Sequence, residues 1–422
     1  MYKIITTLLF TLALCGCGSL LDDDVRLYEV AVSVDFPEGT DAAAMTDAFV
    51  TFKNVSTGAV TTFAANGPMK VMQGLYDVSF EADVVLDNGV TSRLRAMKQA
   101  VTVVADGTVV RLKASGSIVA DDFIISEIFF TGTLQTSGNA YAGDDYIKIY
   151  NNSDRVIYAD GLALFESKFL TTEKYDFTPD IMGEAMTVDA VYVIPGSGRD
   201  HPVEPGGYIL LADNAVDHRA MNPNSFDLSH ADWEWYDESS TPAQSDFDNP
   251  AVGNLDKWYC YTRSFWMLHN RGFKAYGLAR IPVGKESWLR DYVYSYDYEI
   301  ITAAGSFPMT QTAYRMPNEW IVDLVTLSVE SKYQWNISIP SLDCGWTSCG
   351  KIDGDKTRYF KAVRRKFLYT GENGVAVFQD TNNSTADFNA SVTPSEIERQ
   401  KTPLSVTGER PAAETYDGVI EK

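Results

Sequence analysis

Thiols, imidazoles and clustered carboxylates are the groups in this chain that can do chemistry. Five cysteines are present: Cys15, Cys17, Cys260, Cys344 and Cys349. Cys17 follows the small residue Gly16 and an apolar run from Ile4 to Leu14, the order that precedes acylation of a cysteine thiol. Bulky Leu14 before Cys15 makes Cys15 the poorer substrate. Cys344 and Cys349 enclose Gly345-Trp346-Thr347-Ser348, a spacing that suits a short disulfide loop, and Cys260 could bridge to either. His201, His218, His230 and His269 fall in no nucleophile elbow, zinc-protease helix or phosphate loop. His218, His230 and Asp232 make a metal set on paper, but scattered histidines are more often hydrogen-bonded structural or surface groups. Asp246-Phe247-Asp248-Asn249 and Asp353-Gly354-Asp355 offer calcium-type oxygens without a full loop spacing or a closing Glu. In so acidic a chain any two carboxylates can be paired for glycoside hydrolysis, so that pattern selects nothing. These residues define no catalytic set, no metal site and no cofactor.

Aromatic side chains are the better candidate. Residues 214–329 hold Trp233, Trp235, Trp258, Trp266 and Trp288. Trp233, Trp235 and Tyr236 are close in sequence, as are Trp258 and Tyr259, and these five are the expected ligand- or partner-binding residues. Tyr292, Tyr294, Tyr296 and Tyr298 alternate with other residues, so on a strand they share one face. The competing reading is that these rings fill a core, since a long segment must bury something to stay folded.

The elements that position these residues have the period of strands. Val30, Val32, Val34 and Phe36 alternate with Ala31, Ser33 and Asp35, as do Tyr76, Val78 and Phe80 with their neighbours. Asp106-Gly107, between Val101–Val104 and Val109–Leu112, reads as a hairpin turn. Phe123–Phe130, Asp145–Tyr150 and Tyr208–Ala212 are further apolar strands. The expected fold class is all-β, with two antiparallel β-sandwich domains. The expected divisions are a signal peptide at 1–16, a lipidated acidic tether at 17–25, a small sandwich at 26–115, a larger one at 120–398 with an aromatic-rich insertion at about 214–329, and a polar tail at 399–422. A net charge of −22 repels phosphate backbones, which excludes nucleic acid as a partner. No other apolar run reaches membrane-spanning length, so acyl chains on Cys17 would be the anchor.

Several stretches carry resemblances. Asn54-Val55-Ser56-Thr57-Gly58 followed by Gly74-Leu75-Tyr76-Asp77-Val78 resembles carboxypeptidase-regulatory or transthyretin-like sandwiches. Ile125-Ser126-Glu127-Ile128, Tyr146-Ile147-Lys148-Ile149-Tyr150-Asn151, Asp160-Gly161-Leu162, Pro205-Gly206-Gly207-Tyr208 and Asp380-Thr381-Asn382 through Asp387-Phe388 resemble, in that order, the lamin-tail family, an immunoglobulin-like sandwich. Lys148 stands where that family usually has Glu. Asp217–Ile281, with Leu228 to Tyr236 and Leu268 to Gly272, resembles an uncharacterised family of bacterial surface lipoproteins, which look like companions of TonB-dependent transporters. Asp22, Asp23 and Asp24 resemble the surface-export signal of lipoproteins from certain Gram-negative gut anaerobes. These resemblances imply a non-catalytic, outward-facing outer-membrane lipoprotein that binds an unidentified small ligand and serves a TonB-dependent receptor. The alternatives are a structural or adhesive surface protein, or a hydrolase with its site in the insertion.

Overall fold

The computed structural model describes residues 26–36, 45–85, 91–117, 122–239, 246–262, 264–370 and 374–411. Cys17, Asp22, Asp23 and Asp24 lie outside the described residues. The chain divides into two compact units, Met1–Ile118 and Val119–Lys422.

The first unit contains β1 (Leu27–Asp35), β2 (Met45–Asn54), β3 (Val60–Ala64), β4 (Met69–Met72), β5 (Gly74–Val85), β6 (Thr91–Val103), β7 (Thr108–Lys113) and β8 (Ser115–Ser117). They form one sheet in the order β3-β2-β5-β6-β8 and another in the order β4-β1-β7. The period-two pattern places Tyr28 and Val30 inside while Leu27, Glu29 and Ala31 face out. Phe52, Val78, Phe80, Val103 and Val110 fill the space between the sheets. The hairpin expected at Asp106-Gly107 does not form, because β6 and β7 belong to different sheets. Gly107, at φ +78°, donates its N–H to the Glu29 carbonyl at 3.0 Å. Asp106 Oδ1 accepts the Glu29 N–H at 2.9 Å. These bonds pass the chain onto β1, which β7 joins in parallel.

The second unit begins with β9 (Phe123–Phe129), β10 (Tyr146–Asn151), β11 (Ile157–Tyr158), β12 (Leu162–Ser167), β13 (Ala185–Val193), β14 (Pro202–Val203) and β15 (Tyr208–Ala212). Then come β16 (Trp233–Glu234), β17 (Gly253–Asn254), β18 (Asp256–Cys260), β19 (Ala275–Arg280), helix α1 (Lys285–Asp291), β20 (Val293–Thr302), β21 (Gly305–Pro317) and β22 (Ile321–Thr326). The last elements are β23 (Ala362–Arg365), β24 (Phe367–Thr370), β25 (Ala376–Phe378), α2 (Ser384–Asp387), β26 (Phe388–Val392) and α3 (Ser395–Gln400). One sheet runs β17-β16-β15-β10-β9-β23-β26, and the other runs β20-β21-β13-β12-β19-β22 with β18 also on β13.

Phe123, Ile125, Ile147, Leu164, Tyr192 and Leu278 pack between these sheets. The outer faces are covered too, one by Phe226, Leu228 and Ile397, the other by Trp288, Trp335 and Ile337. Burial on both faces explains why β9, β12 and β13 read as nearly unbroken apolar runs: every residue in them is buried. Each fully buried Leu, Ile or Phe contributes about 1.5–3 kcal/mol. The aromatic-rich segment 214–329 also supplies frame, since β19 pairs with β12 and β22 with β19. The sheet is mixed at its rim, where β16 lies parallel to both β15 and β17. A parallel neighbour needs a crossover of a dozen or more residues, and residues 213–232 provide one.

Buried charges are matched with care. Arg365 Nη2 meets both Asp323 oxygens at 2.8 and 2.7 Å, and its Nη1 meets Asp380 at 3.0 Å. Asp387 accepts N–H bonds from Thr381 and Asn383, which closes the Asp380–Asp387 turn. Lys148 is buried beneath α3, where its Nζ meets Ser395 Oγ at 2.6 Å and Glu396 at 3.0 Å. That is the structural role of the Lys at this position.

Candidate functional site

The five expected contact residues lie on one strip, β16 through β18. The strip joins the two sheets, because β16 and β17 belong to one and β18 to the other. Leu255 is the crossing point, buried and bonded to the Glu234 carbonyl at 2.9 Å. Trp235 is wholly buried between the sheets, its ring 5.2 Å from that of Trp266. Trp233, Tyr236, Trp258 and Tyr259 are half-buried. Trp233 is wedged by His201, centroid 4.9 Å away, and by Gly253, where an added Cβ would sit 3.0 Å from the indole. Trp258 and Tyr259 lean on Trp288 and Tyr314, with centroids 6.2 and 4.3 Å away. Tyr294, Tyr296 and Tyr298 share a face of β20, as their alternation predicts, whereas Tyr292 ends α1 before the strand begins and packs on Trp320 at 4.8 Å. Tyr296 is buried and stacks between Tyr294 and Tyr298 at 5.7 and 5.9 Å, against Phe169 and Phe177. Most of the aromatic richness therefore serves packing.

Acids surround the strip on one side. The Tyr236 phenol pKa is raised, first by desolvation and then by Glu238, Asp248, Asp246 and Glu234. Glu234 is fixed by N–H bonds from Ala215 and Asn249, at 2.7 and 2.6 Å. Asp246 accepts the Asp237 N–H at 3.2 Å, and burial pushes its pKa up to about 7, with Asp237 and Glu234 adding. Deeper still are Asp144, Asp145 and Asp213, all buried. They flank the paired strands β10 and β15, where Tyr146 stands opposite Ala212 and the Asp213 N–H donates to the Asp145 carbonyl at 2.9 Å. Burial raises all three, and Asp246, Asp145 and Asp144 raise Asp213 further. No sequence spacing brings these three to notice. The available signal was subtler: acids directly adjoining the ends of apolar runs that pair antiparallel.

The histidines are structural. His218 Nε2 donates to the Asn214 carbonyl at 2.9 Å, and Nδ1 shares a 2.9 Å hydrogen bond with Tyr141 Oη. Burial lowers its pKa. His230 instead meets Glu396, and Asp232 accepts the Leu210 N–H, so this trio does not converge. The Cys344–Cys349 disulfide does not form. The segment between them is drawn out as a strand partner: Thr347 bonds Thr326 and Ser328 along a bridge to Leu327. Cys349 turns into the core between the sheets. Asp353 pairs with Arg271, and Asp355 caps the turn at Thr357.

Comparison with known proteins finds a match over part of this chain. Residues 204–395 match the DUF4876 family, described as a protein of unknown function. The region matching DUF4876 includes Asp213, the whole β16–β18 strip and the Arg365 network, while Asp144 and Asp145 precede it. The crystal structure of a DUF4876 family protein from Bacteroides thetaiotaomicron VPI-5482 resembles this chain with a TM-score of 0.54 and 21% identity, covering 87% of this chain and 96% of that one. At that identity the likeness speaks to the fold alone. No curated protein matches the chain.

Proposed function

We propose that this protein is a non-catalytic lipoprotein of the outer membrane, facing the cell exterior and acting as a binding or accessory subunit of a TonB-dependent nutrient transporter. Anchoring rests on the order Ile4–Leu14, Gly16, Cys17, and outward display on Asp22, Asp23 and Asp24. The lamin-tail-like and transthyretin-like sandwich readings belong to the same proposal, supported by the facing sheets of each unit. The observation that carries the binding role is the set of half-buried rings Trp233 on β16, Trp258 and Tyr259 on β18, and Tyr236 just beyond β16, next to the buried Trp235. Rigid amphipathic rings of this kind are suited to contact hot spots.

The neighbours Trp235 and Tyr236 make the test. Trp235→Ala should cost about 3–5 kcal/mol of stability, because its ring fills the core. Tyr236→Ala should leave the melting temperature nearly unchanged and reduce co-purification of membrane partners about tenfold or more. Cys17→Ser should move the protein out of the membrane fraction. A stable Tyr236→Ala protein that captures partners as well as the parent does would remove the strip from the binding role.

A further inference from the structure

The hairpin of β20 and β21 runs past the sheet that it belongs to. β13 pairs with β21 only from Pro317 to Tyr314, whereas β20 follows β21 as far as Thr302 and Gly305. β20 is the last strand of that sheet. On its outer edge, among the described residues, Thr178 alone forms a bridge, to Asp297. The Thr178 N–H donates to the Asp297 carbonyl at 2.9 Å, and the Asp297 N–H donates to the Thr178 carbonyl at 2.8 Å. In an antiparallel ribbon every second residue turns its N–H and C=O to the same edge. Glu299 and Ile301 therefore share the outer edge with Asp297, and among the described residues no strand pairs with them there. Pro308 stands opposite Glu299 on β21 and fits this parity, because at that position its missing N–H removes no bond between the two strands.

The two faces of this free ribbon differ. Tyr298 and Ile300 are half-buried on the face that also carries Phe307 and Met309. Phe177 and Tyr175 cover Tyr298, with centroids 5.6 and 5.0 Å away, but Phe307 is still 49% exposed. Asp297, Glu299 and Ile301 lie exposed on the other face, Ile301 at 80%. The two carboxylates accept hydroxyls, Asp297 from Thr310 at 2.6 Å and Glu299 from Ser306 at 2.8 Å. Among the described residues neither forms an ion pair. A two-stranded ribbon is marginal in water, and a third strand is what such a ribbon lacks.

We propose that the outer edge of β20, at Glu299 and Ile301, takes up an extended segment of a partner protein in which Lys or Arg alternates with apolar residues. The segment adds a strand to the ribbon along the line that Thr178 begins. Main-chain bonds to Glu299 and Ile301 give affinity, and alternate side chains give specificity. A Lys or Arg opposite Glu299 meets its carboxylate and that of Asp297 on the same face, while the apolar neighbours of that Lys or Arg lie against Tyr298 and Ile300 on the other. The same acids turn away a second copy of the chain. Pairing of two β20 edges about Glu299 would set like charges opposite each other, which is destabilising. A net charge of −22 also favours a cationic partner. This edge is separate from the aromatic strip of β16 to β18, so the inference goes beyond the transporter reading and does not depend on it.

The test uses the full chain and a short peptide alternating Val and Lys, with a peptide alternating Val and Glu as control. Hydrogen exchange should show the Glu299 and Ile301 amides open in the free protein and protected with the Val/Lys peptide. Glu299→Pro removes one outward N–H and one acid but no bond to β21. It should weaken peptide binding about tenfold or more and leave Tm nearly unchanged. Glu299→Lys keeps the N–H and should move the preference from the Val/Lys to the Val/Glu peptide. Tyr236→Ala, on the other strip, should bind the Val/Lys peptide as the parent does. The proposal is overturned if both amides stay open at millimolar Val/Lys peptide, or if the Val/Glu peptide protects them equally. Glu299→Lys binding the Val/Lys peptide as tightly as the parent would overturn it too. Protection that grows with protein concentration alone, with dimers in sedimentation, would overturn it by placing a second copy on this edge.

Discussion

Glu396 and Asp246 are both buried carboxylates, and they titrate in opposite directions. Burial alone would raise Glu396, but Lys148, with bonds from His230 and Arg399, outweighs it and lowers the pKa below the ordinary 4.5. Burial moves Asp246 the other way, from 3.8 to about 7. A depressed carboxylate contributes stability above its unfolded pKa, and that contribution is lost as pH falls through the folded value. A raised one contributes below its unfolded pKa, and its contribution fades as pH rises through the folded value. The urea midpoint should therefore peak near pH ~4, fall as pH rises to about 7 with the ionisation of Asp246, and level off above it. Asp246→Asn should flatten the upper limb. A midpoint that stays level from pH 5.5 to 8 would show that Asp246 is not held in this way. Asp246 stood out in the sequence as an oxygen donor beside Asp248 and Asn249, and His230 as a metal ligand on paper rather than as a partner of Glu396. Lys148 was visible only as a departure from a family pattern, because its partner Glu396 lies far along the chain.

Strands were the most legible elements, because a period of two survives any tertiary arrangement. The alternating tyrosines of β20 and the apolar run of β9 both read correctly for that reason. Pairing was less legible. Asp106-Gly107 carries the residues of a hairpin turn, yet the hydrogen bonds from Glu29 send the chain to another sheet. Five-residue spacing suggested a Cys344–Cys349 bridge, yet Thr347 is committed to Thr326 and Ser328. The aromatic segment looked separable because its rings suggest a surface, while the Gly277 that lets it join the frame gives no such signal. Gly277 stands opposite Phe165 on β12, and a Cβ there would come within 2.3 Å of the Phe165 ring. Gly277→Ala should cost about 1–3 kcal/mol by overpacking. Adding Phe165→Leu should recover part of that loss, since residues in contact couple. Additive losses in denaturant melts would mean that the two side chains do not share the space.

At the scale of the whole molecule, the all-β class follows from strand periodicity along most of the chain. Each unit closes its own core: Phe52, Val78 and Phe80 belong to the first, and Phe123, Tyr192 and Trp235 to the second. Separate cores are the physical condition for separate folding. Residues 26–117 expressed alone should show a cooperative melt with dispersed amide signals. A molten, non-cooperative fragment would show that the first unit depends on the rest of the chain.

The central position of β9 has a consequence for how the protein is made. Its partner on one side, β10, follows closely, but β23 on the other side comes from the far end of the unit. The Arg365 Nε bond to the Ile125 carbonyl spans 240 residues. At ribosomal rates of about 5–20 residues per second, that edge waits roughly 10–50 s for its neighbour. Throughout that interval an apolar strand has half its backbone groups unpaired, a template for any passing β segment. Until β23 arrives, that edge is the part of the newborn chain most open to pairing with the wrong strand.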